Sequence, residues 1–472
     1  MGEAIHFGTD GWRAIIGEDF TEENLIRVCV AAAEAFKEKQ KEDVAHQSCS
    51  TIIIGHDCRK DAHRYAQIAA EVVAACGFKV KLSQDYCPTP ALCFSVAQDP
   101  TAIGGIMLTS SHNPAEYLGV KLRMVDGGAS PKEFSDRVES LLGLDAPATR
   151  GDFEEVDFVS PYLAALKNCV DTEAIRAAHL RVVVDPLYGA GRKHLAQLLE
   201  DLGVEVDEIN NADDPTFDGL HPEPIQPWID RGIARVQELG FDAGFITDGD
   251  ADRIAALDDK GNFVNPHRIL ALLVSHLVEN KGKRGRVVST ITASAMLARQ
   301  CRRLGLDLTL TAVGFKWIYG EMKKGDVMIG GEESGGIGIP THVKERDGLL
   351  MALLLTETMA LRKMNLRVLV DDMFDKIGKL EFSRRGLRLS EKEMTLFCTN
   401  TISNLSAEKI CGKAVVDIDR RDGVKCYLEG DAWVMMRPSG TEPLVRIYAE
   451  AATVAEVEEL LDAAKHIVKN AE

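Results

Sequence analysis

Apolar, strand-like runs alternate with longer helix-like segments along most of this chain. The first set holds TIIIGHD (51–57), FKVKLSQ (78–84) and AIGGIMLTSS (102–111). The same rhythm returns in LRVVVDP (180–186), VEVDEI (204–209) and FDAGFITD (241–248), and again in RVVST (286–290), LTLTAVG (308–314) and VMIGGEE (327–333). Short apolar runs interleaved with helical stretches predict βα units on a mixed or parallel sheet. Three such sets predict three related α/β domains, although their residue-level similarity is too weak to establish duplication. Beyond about residue 373 the texture changes. VKCYLEG, AWVMMR and LVRIYAE are short strands ahead of an amphipathic terminal helix, AEVEELLDAAKHIVKN, which together make an α+β module. The polar, aperiodic segment 143–158 predicts a linker. The greasiest run, within GLLMALLLTE (348–357), is far too short to span a bilayer and predicts a buried helix. The expected domains are 1–152, 153–258, 259–371 and 372–472.

Charge narrows the class of partner. A formal net charge of −18 over 472 residues argues against nucleic acid and anionic membranes. An anionic small molecule would need a locally basic pocket inside that repulsive field. The N-terminal MGEAIHFGTDG has neither the basic segment nor the apolar core of a secretory signal, and the 11 cysteines form no CxxC or Cys/His cluster. Together these predict a cytoplasmic protein with reduced thiols.

The loops carry the chemistry. LTSSHNPAEYLGVK (108–121) sets Thr109, Ser110, Ser111, His112 and Asn113 in a row after an apolar run, with Lys121 ten residues on from Ser111. A strand-to-helix turn would use the same Ser, Asn and Pro. TDGDADR (247–253) alternates Asp248, Asp250 and Asp252, whose carboxylates can converge on one hard cation, and oxygen ligands without Cys or His suit Mg²⁺. A calcium EF-hand would want Gly and Glu where Arg253 and Asp259 stand; a solvated acidic turn is the plainer alternative. GGEESGG (330–336) frames Glu332, Glu333 and Ser334 with glycines, so it can bond sugar hydroxyls at close range or simply make a turn. RPSGTEPLVR (437–446) joins Arg437, Ser439, Gly440, Thr441 and Arg446 into a phosphate nest without the Lys and spacing of a nucleotide P-loop; a surface turn is its alternative. FGTDGWR (7–13), with Arg13, and TAVGFKWI (311–318), with Gly314 and Lys316, are weaker signals. Each loop is expected to follow a strand, where open α/β sheets place their ligands. A hydroxyl nucleophile, a metal site, a sugar clamp and a phosphate clamp together describe phosphoryl transfer on a phosphosugar.

TSSHNP, DGDADR, GEESGG and RPSGTEP, in that order and at these spacings, resemble the α-D-phosphohexomutases, and among them the phosphoglucomutase/phosphomannomutase enzymes. The resemblance covers essentially the whole chain, including FGTDGWR and GHDCR (55–59). It implies three related α/β domains around a central cleft plus a C-terminal α+β lid: 1–152 carrying a phosphoserine loop, 153–258 the metal loop, 259–371 the sugar loop and 372–472 the phosphate clamp. It implies a phosphoserine at Ser111, whose phosphoryl oxygen joins Asp248, Asp250 and Asp252 around Mg²⁺. The implied reaction interconverts hexose 1-phosphate and hexose 6-phosphate through a hexose 1,6-bisphosphate that turns over in the cleft, with glucose the leading hexose. Arg437, Ser439, Gly440 and Thr441 would hold the non-reacting phosphate, and Arg446 would extend that clamp. Arg13 would support the phosphoserine. His112 and Lys121 are the candidates for proton transfer, since an amine near cations can shed its proton. Arg253, Gly314, Lys316, Glu332, Ser334 and Arg346 would line the substrate site, giving a positive pocket in a negative shell.

Four positions depart from the family pattern. Leu118 precedes Gly119 where Asn is frequent, Gly336 stands where dual-sugar enzymes often have His, Arg346 replaces a Lys of glucose-specific relatives, and Ser110 replaces Ala. Mannose and glucosamine therefore stand beside glucose as candidate sugars, and the sequence leaves the oligomeric state open. Two other classes fit less well. A haloacid-dehalogenase-type phosphatase wants Thr or Val where Asp252 stands, and it leaves the Ser111 and Arg437 loops without a role. A non-catalytic phosphosugar-binding protein needs neither Ser111 nor the three aspartates.

Overall fold

The structure, a computed structural model, describes residues 5–8, 10–42, 44–439 and 444–470. Its strands fall into four sheets. The first holds β1 (Trp12–Ile15), β2 (Thr51–His56), β3 (Lys79–Ser83), β4 (Ala102–Leu108), β5 (Tyr117–Met124) and β6 (Glu154–Val156), in the order β1-β5-β4-β2-β3-β6. Parallel pairing joins β2 to β3 and β4, and every residue of β2 and β4 is buried, as a sheet covered on both faces requires. The second sheet holds β7 (Arg181–Asp185), β8 (Glu205–Glu208), β9 (Ala243–Thr247), β10 (Ile254–Asp258) and β11 (Phe263–Val264), ordered β11-β10-β9-β7-β8. The third holds β12 (Arg286–Thr290), β13 (Leu308–Thr311), β14 (Val327–Gly331) and β15 (Ile337–Gly338), ordered β13-β12-β14-β15.

One device recurs in these three sheets. A parallel core strand ends, the chain makes a loop, and the next strand returns antiparallel beside it: β4 to β5, β9 to β10, β14 to β15. The loops so made are those of TSSHNP, DGDADR and EESGG. All three therefore sit at the carboxyl ends of core strands, where α/β sheets offer their ligand sites.

The fourth sheet is antiparallel: β16 (Glu381–Arg388), β17 (Lys409–Ile410), β18 (Lys413–Asp419), β19 (Val424–Leu428), β20 (Trp433–Pro438) and β21 (Leu444–Ala451), ordered β16-β21-β20-β19-β18-β17. The helix Val454–Lys469, started by a Thr453/Glu456 capping box, lays Val457, Leu460, Leu461, Ala464 and Val468 on it. This lid has an apolar cluster of its own, whereas one large cluster runs from Leu92 in the first unit through Val182 and Phe245 to the third unit's helix Gly348–Arg362. That helix contains the expected GLLMALLLTE and is buried along nearly its whole length. Among the described residues no helix is long and apolar enough to cross a membrane.

Three elements cross the expected domain limits. The strand β6 extends the first sheet past residue 152 and lies inside the segment read as a linker; its Glu-Glu-Val sequence carries no apolar run to announce it. The two-residue β11 closes the second sheet past 258. The helix Leu366–Ile377 spans 371–372 because Leu366, Leu369, Val370, Met373 and Ile377 pack into the large cluster.

Candidate functional site

Ser111 follows β4 with φ 51°, a left-handed backbone that a non-glycine residue adopts only where its surroundings hold it. The hold is visible. Thr109 Oγ1 accepts from Ser111 N (2.9 Å) and donates to Asp57 Oδ2 (2.6 Å). Asp57 also orients the Arg59 guanidinium (3.1 Å), which donates to Ser111 O (2.8 Å), Asn113 O (2.6 Å) and Tyr117 O (3.0 Å). The GHDCR stretch is thus the frame of the serine loop. Ser111 Oγ donates to Asp248 Oδ2 (2.9 Å) and lies 3.4 Å from His112 Nδ1, whereas Ser110 Oγ is buried with no partner. Of the two adjacent hydroxyls, that of Ser111 is the one hydrogen-bonded to an aspartate among the described residues. Arg13 Nη1 holds Asn113 Oδ1 (2.6 Å) from β1. FGTDGWR accordingly leads into a strand, contrary to the expectation that each motif follows one. The β1 backbone approaches Gly119 so closely that a Cβ there would lie 2.3 Å from Trp12 O.

Asp248, Asp250 and Asp252 are fully buried, with carboxylate oxygens within 4.8 Å of one another. Burial and then the charges of Asp250 and Asp252 raise Asp248 well above the usual carboxylate range. Lys121 Nζ donates to Asp250 Oδ2 (2.7 Å) and Asp252 Oδ2 (3.1 Å) and pairs with Asp10 Oδ2 (3.1 Å). Burial alone would lower its pKa, but the three carboxylates outweigh burial and raise it. This corrects the expectation that cationic neighbours would free its amine: the neighbours are acidic, and Lys121 is an ammonium. His112 behaves oppositely. Burial first, then Arg253, Arg13, Arg384 and Lys121, hold its pKa well below the ordinary value, so the imidazole is neutral. Among the described residues, Asp250 Oδ1 and Asp252 Oδ1 are buried and accept no hydrogen bond, although the Arg253 guanidinium lies 3.8 Å from Asp252 Oδ1. Orphaned carboxylate oxygens converging beside a serine hydroxyl are the donor set a hard divalent cation takes, so the residues fit Mg²⁺.

Two residues here carried no readable signal. Asp10 receives Lys121, Arg123 (2.9 Å) and Arg346 (2.5 Å), and Thr89 Oγ1 donates to Asp250 Oδ2 (2.6 Å). An Asp in a Gly-rich turn and a Thr in CPTP are ordinary loop chemistry; their partners lie more than a hundred residues away.

The sugar loop is tied to the metal loop through the backbone. Arg253 bridges Gly336, Ile254 N donates to Gly335 O (3.0 Å), and Gly348 N donates to Ala251 O (3.1 Å). Arg253 N also caps Asp248 Oδ1 (3.0 Å). Glu332 accepts from Gly314 N (3.1 Å), and burial pushes its pKa up to about 7. Glu333 instead takes Thr292 Oγ1 (2.6 Å), and Ser334 is half-buried in the same turn. Lys316 opens the helix Phe315–Met322 and lies over the exposed Trp317 ring. Arg346 reaches Asp252 (2.7 Å), Asp10 and Glu345 (3.1 Å) and stacks on Phe315. A Cβ on Gly336 would lie 2.2 Å from Arg346 Cδ. The departures at 336 and 346 are therefore one feature: Arg346 fills the space a larger residue at 336 would need.

On the lid, Arg437 and Arg446 face each other directly across β20 and β21. Like charges opposite one another destabilise a sheet and favour an anion between them. Arg437 Nε holds Asp422 (2.8 Å), which also accepts from Val313 N (3.0 Å), next to Gly314. Ser439 N closes the hairpin onto Leu444 O (2.7 Å). Gly440 and Thr441 lie outside the described residues. Arg446, Arg384 and Arg437 act on the buried Tyr448 hydroxyl, as does Glu333 from the sugar loop, so the clamp and the sugar loop share one neighbourhood.

Four family domains match the chain in order: the phosphoglucomutase/phosphomannomutase alpha/beta/alpha domains I (4–145), II (160–261) and III (265–377) and the C-terminal domain (403–467). A "phosphoglucomutase/phosphomannomutase" of Thermococcus kodakarensis is 31% identical over 97% of this chain and 96% of its own. A "phosphoglucosamine mutase" of Carboxydothermus hydrogenoformans is 30% identical over 97% of both. A crystal structure of a Thermus thermophilus protein assigned as a phosphomannomutase superposes over 100% of both chains, with TM-score 0.88 and 34% identity.

Proposed function

The chain belongs to the phosphoglucomutase/phosphomannomutase family of the α-D-phosphohexomutases and is a phosphohexomutase, and from that premise we propose that Ser111 is the residue that carries the phosphoryl group. The observation that supports this most directly is the Ser111 hydroxyl donating to Asp248 beside the neutral imidazole of His112. In the forward direction phospho-Ser111 passes its phosphoryl group to the free hydroxyl of a hexose 1-phosphate. The resulting 1,6-bisphosphate turns over in the cleft, and its other phosphoryl group returns to Ser111. Asp248, Asp250 and Asp252 would hold Mg²⁺, which would supply charge neutralisation at the transferring oxygens. His112, neutral and adjacent, accepts the proton of the attacking hydroxyl and passes it to Ser111 Oγ, 3.4 Å from its Nδ1, as the phosphoryl group leaves. Lys121 stays an ammonium bonded to Asp250 and Asp252. Arg13 steadies the serine loop through Asn113. Glu332 and Ser334 bond the sugar hydroxyls, with Arg346 fixing the side of the pocket next to Gly336. Arg253, Gly314 and Lys316 complete that wall, and Arg437, Ser439 and Arg446 hold the phosphate that is not reacting.

Glucose phosphates are the substrates we propose first. Glucosamine phosphates are the second reading, favoured by the relative named phosphoglucosamine mutase at nearly the same identity. The test is a panel of glucose, mannose and glucosamine 1-phosphates, each assayed for the 6-phosphate with Mg²⁺ and catalytic hexose 1,6-bisphosphate. Glucose should turn over with the highest kcat/KM. A glucosamine value above that of glucose overturns the sugar assignment, and no conversion of any hexose overturns the reading.

A further inference from the structure

Arg384 is a lid residue whose charge helps to keep His112 neutral but which the steps above place in no contact with the reacting groups. It lies on β16 opposite Tyr448, and its Nη2 donates to Glu223 Oε1 at 2.7 Å, crossing from the fourth domain to the second. Other lid contacts, six of them hydrogen bonds among the described residues, run to the third domain instead. Arg421 Nη1 donates to Leu310 O and Arg299 Nε to Asp431 Oδ2 (2.8 Å). Lys425 Nζ donates to Ile291 O (2.6 Å), Ala295 N to Glu450 Oε2 (2.7 Å), Val313 N to Asp422 Oδ2 (3.0 Å), and Arg268 Nη2 to Glu381 Oε2 (3.0 Å). Those contacts seat one flank of the lid. Arg384 reaches across the opening to the other.

Its partner stands on a firm base. Glu223 belongs to the HPEP segment (221–224), which is bonded to the metal loop: Gly249 N donates to Pro222 O (3.1 Å). The Pro222 ring lies so near Gly249 that a Cβ there would come within 3.1 Å of it, and within 2.3 Å of Ser111 O. A pull on Glu223 is thus a pull on the piece of backbone that carries the catalytic aspartates. The charge of Arg384 also reaches His112 of the first domain and Glu333 of the third. One guanidinium on the lid therefore faces groups of all three other domains.

We propose that Arg384 and Glu223 form a latch that holds the lid on the second domain while the bisphosphate turns over. The proposal rests on the mutase reading for its function. The pair suits a latch better than a permanent weld, because both side chains keep partial access to water, at 31% and 20%, and such ion pairs are weak enough to part and re-form each cycle. Arg384 and Glu223 are positioning residues: the latch acts by keeping the intermediate in, not by touching the transferring phosphorus.

The test uses the full-length protein with Arg384→Gln, Glu223→Gln, both together, and Arg384→Lys. Each single Gln change should raise escape of hexose 1,6-bisphosphate by roughly three- to tenfold, read as a new dependence on added bisphosphate. Single-turnover transfer from phospho-Ser111 should stay within about twofold of the parent. The double variant should be no worse than the worse single one, because two residues acting through one contact do not add. Arg384→Lys should keep most of the retention. Hydrogen–deuterium exchange of the 219–225 segment should quicken in both single variants and in the double. The latch is overturned if Glu223→Gln matches the parent in escape and exchange while Arg384→Gln does not, or if the two effects multiply. The exchange measurement needs no turnover. A parent protein inert on every hexose phosphate would sink the mutase reading, while the exchange result still judges the contact.

Discussion

Ser110 and Ser111 are chemically the same residue, and only backbone conformation separates them. The left-handed turn at Ser111 aims its hydroxyl at Asp248, while Ser110 is left buried and unpaired. Ser111→Ala should cut turnover by at least roughly several hundred-fold, while Ser110→Ala keeps most activity. Ser110→Ala should also melt at the parent temperature or above it, since it removes a buried hydroxyl that makes no hydrogen bond. Intact-protein mass spectrometry of the two variants is the companion measurement, and phosphate surviving in Ser111→Ala but not in Ser110→Ala would reverse the assignment. At this scale the sequence was legible where the spacing of residues, rather than their type, was unusual for a loop. Three alternating aspartates were readable; Asp10 and Thr89 were not, because their meaning comes from partners distant in the chain.

Among the elements, the core strands were readable and their antiparallel companions were not. β5 is the instructive case. Its sequence YLGVKLRM buries Lys121 and Arg123 almost completely, the reverse of the pattern by which periodicity finds a buried strand. Those two cations are inside because Asp10, Asp250, Asp252 and Glu345 meet them there. The strand is hidden in the sequence for the same reason that it matters to the site. The β20–β21 pair carries a prediction of its own. Arg437→Ala removes one of two opposed cations, and losing one charge-assisted clamp costs on the order of 1.5–3 kcal/mol, or roughly ten- to a hundredfold in residence time. Its KM should rise and its progress curve should come to need added bisphosphate. An unchanged KM with no such need would show that the clamp lies elsewhere.

Across the whole molecule, the net charge of −18 hides an interior in which cations and carboxylates are matched one against another. One buried cation at the seat of the lid is not matched in this way. Lys425 is buried with its ammonium over the Trp433 ring (3.7 Å) and bonded to Ile291 O, without a carboxylate in contact among the described ion pairs. Burial lowers its pKa to about 7 from an ordinary 10.5, while Glu450 and Asp419 only partly oppose this. Below pH 7 the folded and unfolded chains both carry the charge, and the folded one bears the cost of burying it. As pH rises through that value, the folded chain releases the proton and the unfolded chain keeps it, so stability climbs between about pH 7 and about pH 10. Lys425→Met should therefore have its greatest melting advantage over the parent at about pH 6, shrinking by about pH 9, in paired thermal melts. A difference that stays flat with pH would mean that the amine remains charged throughout. The four-part architecture itself was legible in the sequence, because its rhythm of apolar runs is coarse. The seating of the lid was not, since no local pattern records which carbonyl a distant lysine will find.

The shared space of Gly336 and Arg346 constrains how either position can be changed. Any side chain at 336 collides first with Arg346, and Arg346 cannot swing away without leaving Asp10, Asp252 and Glu345 behind. Substitution at 336 alone thus disturbs the ion pairs of Arg346 before it can reshape the space beside them. The open path runs in one order, with position 346 shortened first and 336 enlarged afterwards.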